Sequence, residues 1–174
     1  LAAQALVKKS FLNPYETWIS NLNGTLSVLE GLKKLNKKGK KICTAVLITS
    51  DKVYKNLELD KGYKENDLIG DYDPYSASKA SAELLIQSYV KSFFDKGNSK
   101  VRIATARAGN VIGGGDWSEN RLIPDFVKSW SKNKRLFIRN PNSTRPWQHV
   151  LEVLCGYIVL AEKLRKNSNL HGES

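Results

Sequence analysis

Methionine is absent from the 174 residues, and cysteine and histidine occur only twice each. With Cys43, Cys155, His149 and His171 as the whole stock of soft ligands, no zinc spacing can be assembled, and no metal site is expected. The two cysteines lie far apart in apolar surroundings and read as small core residues rather than a disulfide. No apolar run approaches the roughly eighteen residues that cross a bilayer, so no membrane partner is expected. The opening stretch, Leu1 to Lys9, has no basic region ahead of its apolar residues, which argues against a secretory signal. A cytoplasmic, reducing setting follows as the expectation. The chain opens on Leu1 in mid-pattern and closes at Ser174 without a helix stop or polar tail, so it reads as a fragment.

What is present is ordinary for a globular domain: 41% apolar and 26% charged residues. The net charge of +11 raises nucleic acid as a partner. Much of the excess sits in Lys33, Lys34, Lys37, Lys38, Lys40 and Lys41, at the end of a predicted helix, where cations offset the macrodipole and stay solvated. No aromatic residues interleave with them, and nucleic-acid binding is the weakest expectation.

Trp18, Ile19, Leu22, Leu26, Leu29 and Leu32 recur at helical spacing and predict a helix over 15–35. Ile42–Ile48 is a short apolar, β-branched run, the pattern of a strand buried on both faces in a parallel sheet. A loop rich in Asp, Gly and Asn follows over 55–73, then a helix over 75–94 behind Pro74. A strand is predicted at Val101–Ala106, a helix over 121–132 and a strand at Leu136–Ile138. Pro146 is taken to open a last helix with Leu151, Leu154, Ile158, Ala161 and Leu164 on one face. Strands alternating with helices of this length define an α/β fold with a parallel sheet.

The most informative stretch is Tyr75-Ser76-Ala77-Ser78-Lys79, downstream of Thr49-Ser50-Asp51-Lys52. Tyr75 and Lys79 lie one helical turn apart and leave the same face. An ammonium beside a phenol favours the phenolate, drawing its pKa down from about 10. Such a tyrosine can take a proton from a sugar hydroxyl as a nicotinamide oxidises the carbon. A lone Y-x-x-x-K arises often by chance. Here it follows a buried strand ending in Ser50, so hydroxyl and phenol could converge at the carboxyl edge of the sheet, where open α/β folds bind ligands.

These residues resemble the extended short-chain dehydrogenase/reductase superfamily along nearly the whole chain. The resemblance implies a Rossmann-like parallel sheet, NAD as cofactor, and Tyr75 as base with Lys79 as its helper and ribose contact. Ser50 would polarise the reacting hydroxyl, Leu1-Ala2-Ala3 would border the cofactor, and Asn21 matches the family's helix asparagine near the active site. Thr49-Ser50-Asp51-Lys52-Val53-Tyr54 resembles the 4,6-dehydratase pattern of hydroxyl, aspartate and a further ionisable residue. Arg107–Trp117 and Arg145–Val150 are similar to the branch acting on CDP-glucose, which implies that nucleotide sugar as substrate. Under this resemblance Asp51 is the acid for the departing 6-hydroxyl. Lys52 stands where a glutamate base occurs in dTDP-glucose dehydratases, and would be the base or orient Asp51. Asn110 would contact the substrate, Arg121 and Leu122 would lie along its nucleotide, and Arg145 would grip its diphosphate. His149 reads as a packing residue at a helix start, and Gly113-Gly114-Gly115 as a turn around the substrate.

No G-x-G-x-x-G follows a strand anywhere in the chain, and the resemblance puts it upstream of Leu1. The expectation is therefore the later half of a Rossmann-like domain over 1–112, with part of a substrate-binding region over 113–174. A chain of this extent should bind NAD weakly and turn over little by itself, and the longer protein should be a homodimer. Another sugar-nucleotide epimerase or dehydratase, and a non-catalytic remnant of the same fold, are the competing readings.

Overall fold

The structure is a computed structural model and describes residues 3–39, 41–95 and 99–173. The chain forms two compact units, Leu1–Ala108 with Gly156–Ser174, and Gly109–Cys155.

The first unit begins with α1 (Val7–Leu12) and α2 (Pro14–Trp18), continues through a π-helical turn (Ile19–Asn23), and runs on as α3 (Gly24–Lys38). The start is set locally: Asn13 accepts a 3.1 Å hydrogen bond from the Glu16 amide, and Pro14 occupies the first helical position. Lys37 and Lys38 sit in the last turn, where positive charge suits the carbonyl end. The predicted helix is thus present, but the π turn adds a residue that apolar periodicity cannot announce. Strand β1 (Cys43–Ile48) leads into a 3₁₀ turn (Asp51–Val53), and α4 (Pro74–Tyr89), extended by a second π turn (Val90–Phe94), crosses to β2 (Val101–Ala106). The strands pair in parallel, from Cys43 opposite Val101 to Ile48 opposite Ala106.

Leu29, Ile86, Val90, Phe94, Val101 and Ile103 make the buried core between α3, α4 and this sheet. All six residues of β1 are half-buried rather than covered on both faces, because among the described residues only β2 pairs with it. The far edge of β2 is occupied by the end of the chain. The Gly172 amide donates to the Ile103 carbonyl at 2.8 Å, and the Thr105 amide donates to the Glu173 carbonyl at 2.9 Å. The Ile103 amide donates to His171 Nδ1 at 3.0 Å, so the edge of β2 is hydrogen-bonded instead of open.

The second unit holds β3 (Asn110–Ile112), α5 (Leu122–Ser131) and β4 (Trp147–His149), with β3 and β4 parallel from Asn110 opposite Trp147 to Ile112 opposite His149. The last helix, α6 (Val150–Lys166), starts after β4. Five expectations are corrected here. Leu136–Ile138 is irregular, with Phe137 exposed, and forms no strand. Pro146 precedes β4, which displaces the helix start to Val150, and His149 is an exposed strand residue. On α6 the buried residues are Val153 and Leu164, while Leu151, Leu154 and Ile158 are exposed. Cys155 shares that open side and is no core residue, whereas Cys43 does pack against the core. Strands of three residues carry no readable period, and their pairing is non-local.

No helix among the described residues is long and apolar enough to cross a membrane, and no group of three or more His, Cys, Asp or Glu side chains among them could hold a metal.

Candidate active site

Thr49 and Ser50 are buried at the C-terminal end of β1, on the edge where parallel sheets present their ligands. The Ser50 hydroxyl donates to Asp51 Oδ1 at 3.1 Å and accepts from the Lys52 amide at 3.2 Å, capping the 3₁₀ turn that carries Asp51 and Lys52. The Asp51 amide donates to the Ala108 carbonyl at 2.9 Å, which ties the exit of β1 to the exit of β2. Asp51 and Lys52 are half-buried, and their turn packs against α4.

The start of α4 is equally determined by sequence. Pro74 holds the first position, and Asp73 caps it by accepting from the Ser76 amide at 3.0 Å and the Ser76 hydroxyl at 2.5 Å. Tyr75 lies in the first turn, Lys79 one turn later and Glu83 one turn beyond, and all three are buried. Glu83 Oε1 accepts a 2.5 Å hydrogen bond from the Thr49 hydroxyl, so the stripe bearing Tyr75 and Lys79 is turned toward the exit of β1. Burial pushes the Lys79 ammonium below its usual pKa, and no carboxylate among the described residues forms an ion pair with it.

Asn21 is buried by the π turn, and its amide is a hub. Oδ1 accepts from the Gln4 amide at 2.9 Å, while Nδ2 donates to the Gln4 carbonyl at 3.1 Å and to the Ser78 hydroxyl at 2.9 Å. Ser78 in turn donates to the Tyr75 carbonyl at 2.7 Å. Both amide hydrogens of Asn21 are therefore spent on positioning the Ala3–Gln4 segment and the first turn of α4. Ala3 is half-buried beside this hub, and Leu1 and Ala2 lie outside the described residues.

Sequence reasoning missed the buried pair of Glu83 and Arg107. Arg107 Nε donates to Glu83 Oε1 at 2.8 Å and Oε2 at 3.0 Å, and Nη2 makes a further close contact with Oε2. Its Nη1 donates to the Tyr54 hydroxyl at 2.9 Å and the Glu65 carbonyl at 3.0 Å, and the guanidinium lies over the Tyr54 ring. Burial opposes the Arg107 charge, but these hydrogen bonds outweigh it and hold the guanidinium pKa above its usual value. A signal existed: Glu83 stands eight residues after Tyr75 on the stripe that the motif already marked as inward.

In the second unit Asn110 opens β3, half-buried, with its amide donating to the Pro146 carbonyl at 3.0 Å. The strings Arg107–Trp117 and Arg145–Val150, on which the resemblance to the CDP-glucose branch rests, are thus neighbours, paired through β3 and β4. Gly109 permits this, because a Cβ there would lie 2.6 Å from Pro146 Cγ and 2.8 Å from its carbonyl oxygen. Gly115, at φ +86°, turns the chain after β3. Arg121 precedes α5 and pairs with Asp116 at 3.0 Å, and hydrogen bonds from Ser118 hold the Asp116 carboxyl below its usual pKa. Leu122 is exposed at the start of α5, and exposed Arg145 donates to the Thr144 carbonyl at 2.6 Å.

Residues 1–171 match the NAD dependent epimerase/dehydratase family. The chain is 50% identical over 167 residues to a CDP-glucose 4,6-dehydratase of Salmonella typhimurium, covering 94% of this chain and 45% of that protein. It is 30% identical over 174 residues to a dTDP-D-glucose 4,6-dehydratase of Dictyostelium discoideum, covering 94% of this chain and 37% of that protein. A crystal structure of a dTDP-glucose 4,6-dehydratase from Streptomyces venezuelae, with NAD bound, superposes with a TM-score of 0.78 at 23% identity, over 99% of this chain and 48% of that one. At that identity the likeness speaks for a shared Rossmann-like fold. The chain spans less than half the length of each of these three proteins.

Proposed function

The chain belongs to the NAD-dependent epimerase/dehydratase family, and on that premise we propose that its protein dehydrates a nucleotide sugar, converting CDP-glucose to CDP-4-keto-6-deoxyglucose and water. The observation that carries this reading is the Ser50-Asp51-Lys52 turn, packed on the helix of Tyr75 and Lys79 in a chain half identical to a CDP-glucose 4,6-dehydratase.

The residues fit NAD: Lys79 is desolvated, has no ion-pair partner among the described residues, lies at the ligand-binding edge of a parallel sheet, and is available to a ribose hydroxyl. Tyr75 and Lys79 would hold its nicotinamide side and Ala3 would flank it, with Asn21 keeping that segment in place. NAD, when bound, would supply the oxidation at carbon 4 and the compensating reduction at carbon 6, so the net change is loss of one water.

Tyr75 takes the proton of the 4-hydroxyl, with Ser50 hydrogen-bonding the same oxygen. The resulting ketone acidifies the proton on carbon 5. Elimination then needs a base at carbon 5 and an acid at carbon 6. Asp51 serves as the acid, protonating the departing 6-hydroxyl. Lys52, the next residue on the same tight turn, serves as the base. Asn110, Arg121, Leu122 and Arg145 recognise the substrate, Arg145 through the diphosphate. We assign the cofactor site and the catalytic residues to 1–112, with Asn110 near its end, and the rest of substrate recognition to 113–174.

The protein acts in the cytoplasm, as a homodimer, in deoxysugar synthesis for surface polysaccharide such as lipopolysaccharide. Exposed apolar side chains on α3 (Val28, Leu35) and on α4 and its π turn (Leu84, Phe93) support a helix-paired dimer.

The test is to incubate the full-length gene product carrying this chain with NAD and either CDP-glucose or dTDP-glucose, following the 4-keto product by its absorbance in alkali. Product from CDP-glucose is expected. Product from dTDP-glucose alone would overturn the substrate assignment, and product from neither would overturn the activity.

A further inference from the structure

Four side chains to which the proposed reaction gives no chemical step form a largely buried network beside the catalytic turn. The Thr49 hydroxyl donates to Glu83 Oε1 at 2.5 Å, and Arg107 grips both Glu83 oxygens. The same guanidinium reaches Tyr54 at 2.9 Å and the Glu65 carbonyl at 3.0 Å, and Tyr54 stacks on Tyr63 with ring centroids 5.0 Å apart. Glu83 is 1% exposed and the Arg107 side chain 6%. A buried ion pair is poor evidence of stabilisation, because desolvating two charges offsets most of their attraction. Its planar, two-pronged geometry does fix distances and angles, which a hydrophobic pair of equal volume would not.

The residues held by this network bracket the turn. Thr49 immediately precedes Ser50 and Asp51, and Tyr54 immediately follows the 3₁₀ turn. Ala108, the neighbour of Arg107, accepts the Asp51 amide at 2.9 Å. Glu83 belongs to α4, on the stripe of Tyr75 and Lys79. The β1 exit, the β2 exit and α4 are thereby locked to one guanidinium.

We propose that Thr49, Glu83, Arg107 and Tyr54 are positioning residues, a clamp that sets Ser50 and Asp51 against the Tyr75–Lys79 face of α4. This rests on the reading that those four groups carry the reaction. Displacing reacting groups by a fraction of an ångström is felt in turnover far more than in substrate affinity.

The experiment uses full-length protein with NAD and compares Thr49→Val, Thr49→Ser and Tyr54→Phe with wild type. Thr49→Val removes the hydroxyl while keeping the side-chain volume. It is expected to lower kcat between about 10- and 100-fold with KM changed less than about threefold, and Thr49→Ser to restore most of kcat. Tyr54→Phe leaves the ion pair intact and should give a smaller kcat loss of the same kind. Hydrogen exchange of the Asp51 and Lys52 amides supplies a readout that needs no turnover, and should quicken about tenfold in Thr49→Val. Unchanged kcat in both the Val and Phe variants of a working enzyme overturns the clamp. If wild type forms no 4-keto product, the activity reading falls, and the clamp stands or falls on the exchange rates alone.

Discussion

Thr49 and Glu83, 34 residues apart in the chain, share a 2.5 Å hydrogen bond inside the protein. A helix presents positions i, i+4 and i+8 as one slowly drifting stripe. With Glu83 fastened at the exit of β1, Lys79 and Tyr75 follow along that exit toward the N-terminus of α4. The Ser50 cap and the Asp51–Ala108 bond bring the Asp51 carboxyl and the Ser50 hydroxyl to the same exit from the other side. The consequences concern chemistry first and stability second.

Under the proposed function, Asp51 is the residue that would separate a dehydratase from an epimerase on the same scaffold. In full-length protein, Asp51→Asn removes the proton for the departing 6-hydroxyl but leaves Tyr75 and Ser50 able to oxidise carbon 4. Product formation should fall about 10²- to 10⁴-fold while reduced cofactor still accumulates in single turnover. Tyr75→Phe should suppress both. Equal suppression of oxidation and elimination by Asp51→Asn would contradict the role given to Asp51.

Arg107→Ala leaves the Glu83 carboxylate buried and unpaired. That should cost about 3–5 kcal/mol of folding stability by urea denaturation. Adding Glu83→Gln removes the orphaned charge, so the double variant should be more stable than Arg107→Ala. Additive losses would mean that the pair is not coupled.

The elements legible in sequence were those with a local cause. The helix behind Asn13-Pro14, the helix behind Asp73-Pro74 and the strand Val101–Ala106 all carry caps or β-branched runs. So does the Tyr75–Lys79 pair, because helical spacing is local. What escaped was non-local or short. The β3–β4 pairing joins residues such as Asn110 and Trp147 that have no local reason to meet, and the three-residue strands have no period. The π turn at Ile19–Asn23 alters the register by one residue without altering composition. Arg107 was read as part of a string, since nothing local says its partner is Glu83.

Asn21→Ala should loosen the contact between the Gln4 segment and α4. It orphans the Gln4 backbone amide and carbonyl and takes the Asn21 donor from the Ser78 hydroxyl, all of them buried. Groups of this kind cost about 1–3 kcal/mol each when left without partners, less whatever water restores. NAD affinity in the full-length protein should weaken with it. A variant of wild-type stability and wild-type NAD affinity would show that the hub holds nothing.

Gly109→Ala tests whether the two motif strings must touch. The added methyl would meet the Pro146 ring and carbonyl within 2.8 Å, and backbone is there to be moved, not a flexible side chain. A loss of about 1–3 kcal/mol is expected, with faster hydrogen exchange at Asn110, whose amide is bonded to Pro146. Unaltered exchange there would sink the close-approach argument.

Burial of Lys79 fixes the sign of its effect on stability. Desolvation lowers the Lys79 pKa in the folded protein below its unfolded value of about 10.4. Between those two values the unfolded chain binds more protons, so this residue makes stability rise with pH across that window. Below the folded value the full desolvation penalty is present. Lys79→Met keeps the length and removes the charge, so it should raise the melting temperature at neutral pH in the absence of NAD. The gain should shrink as the pH approaches the unfolded value. The same variant should lose turnover by about 10²- to 10⁴-fold, since Tyr75 loses its cationic neighbour. A Met variant less stable than wild type at neutral pH would mean that the ammonium is compensated in the interior, and that burial is not what sets its pKa.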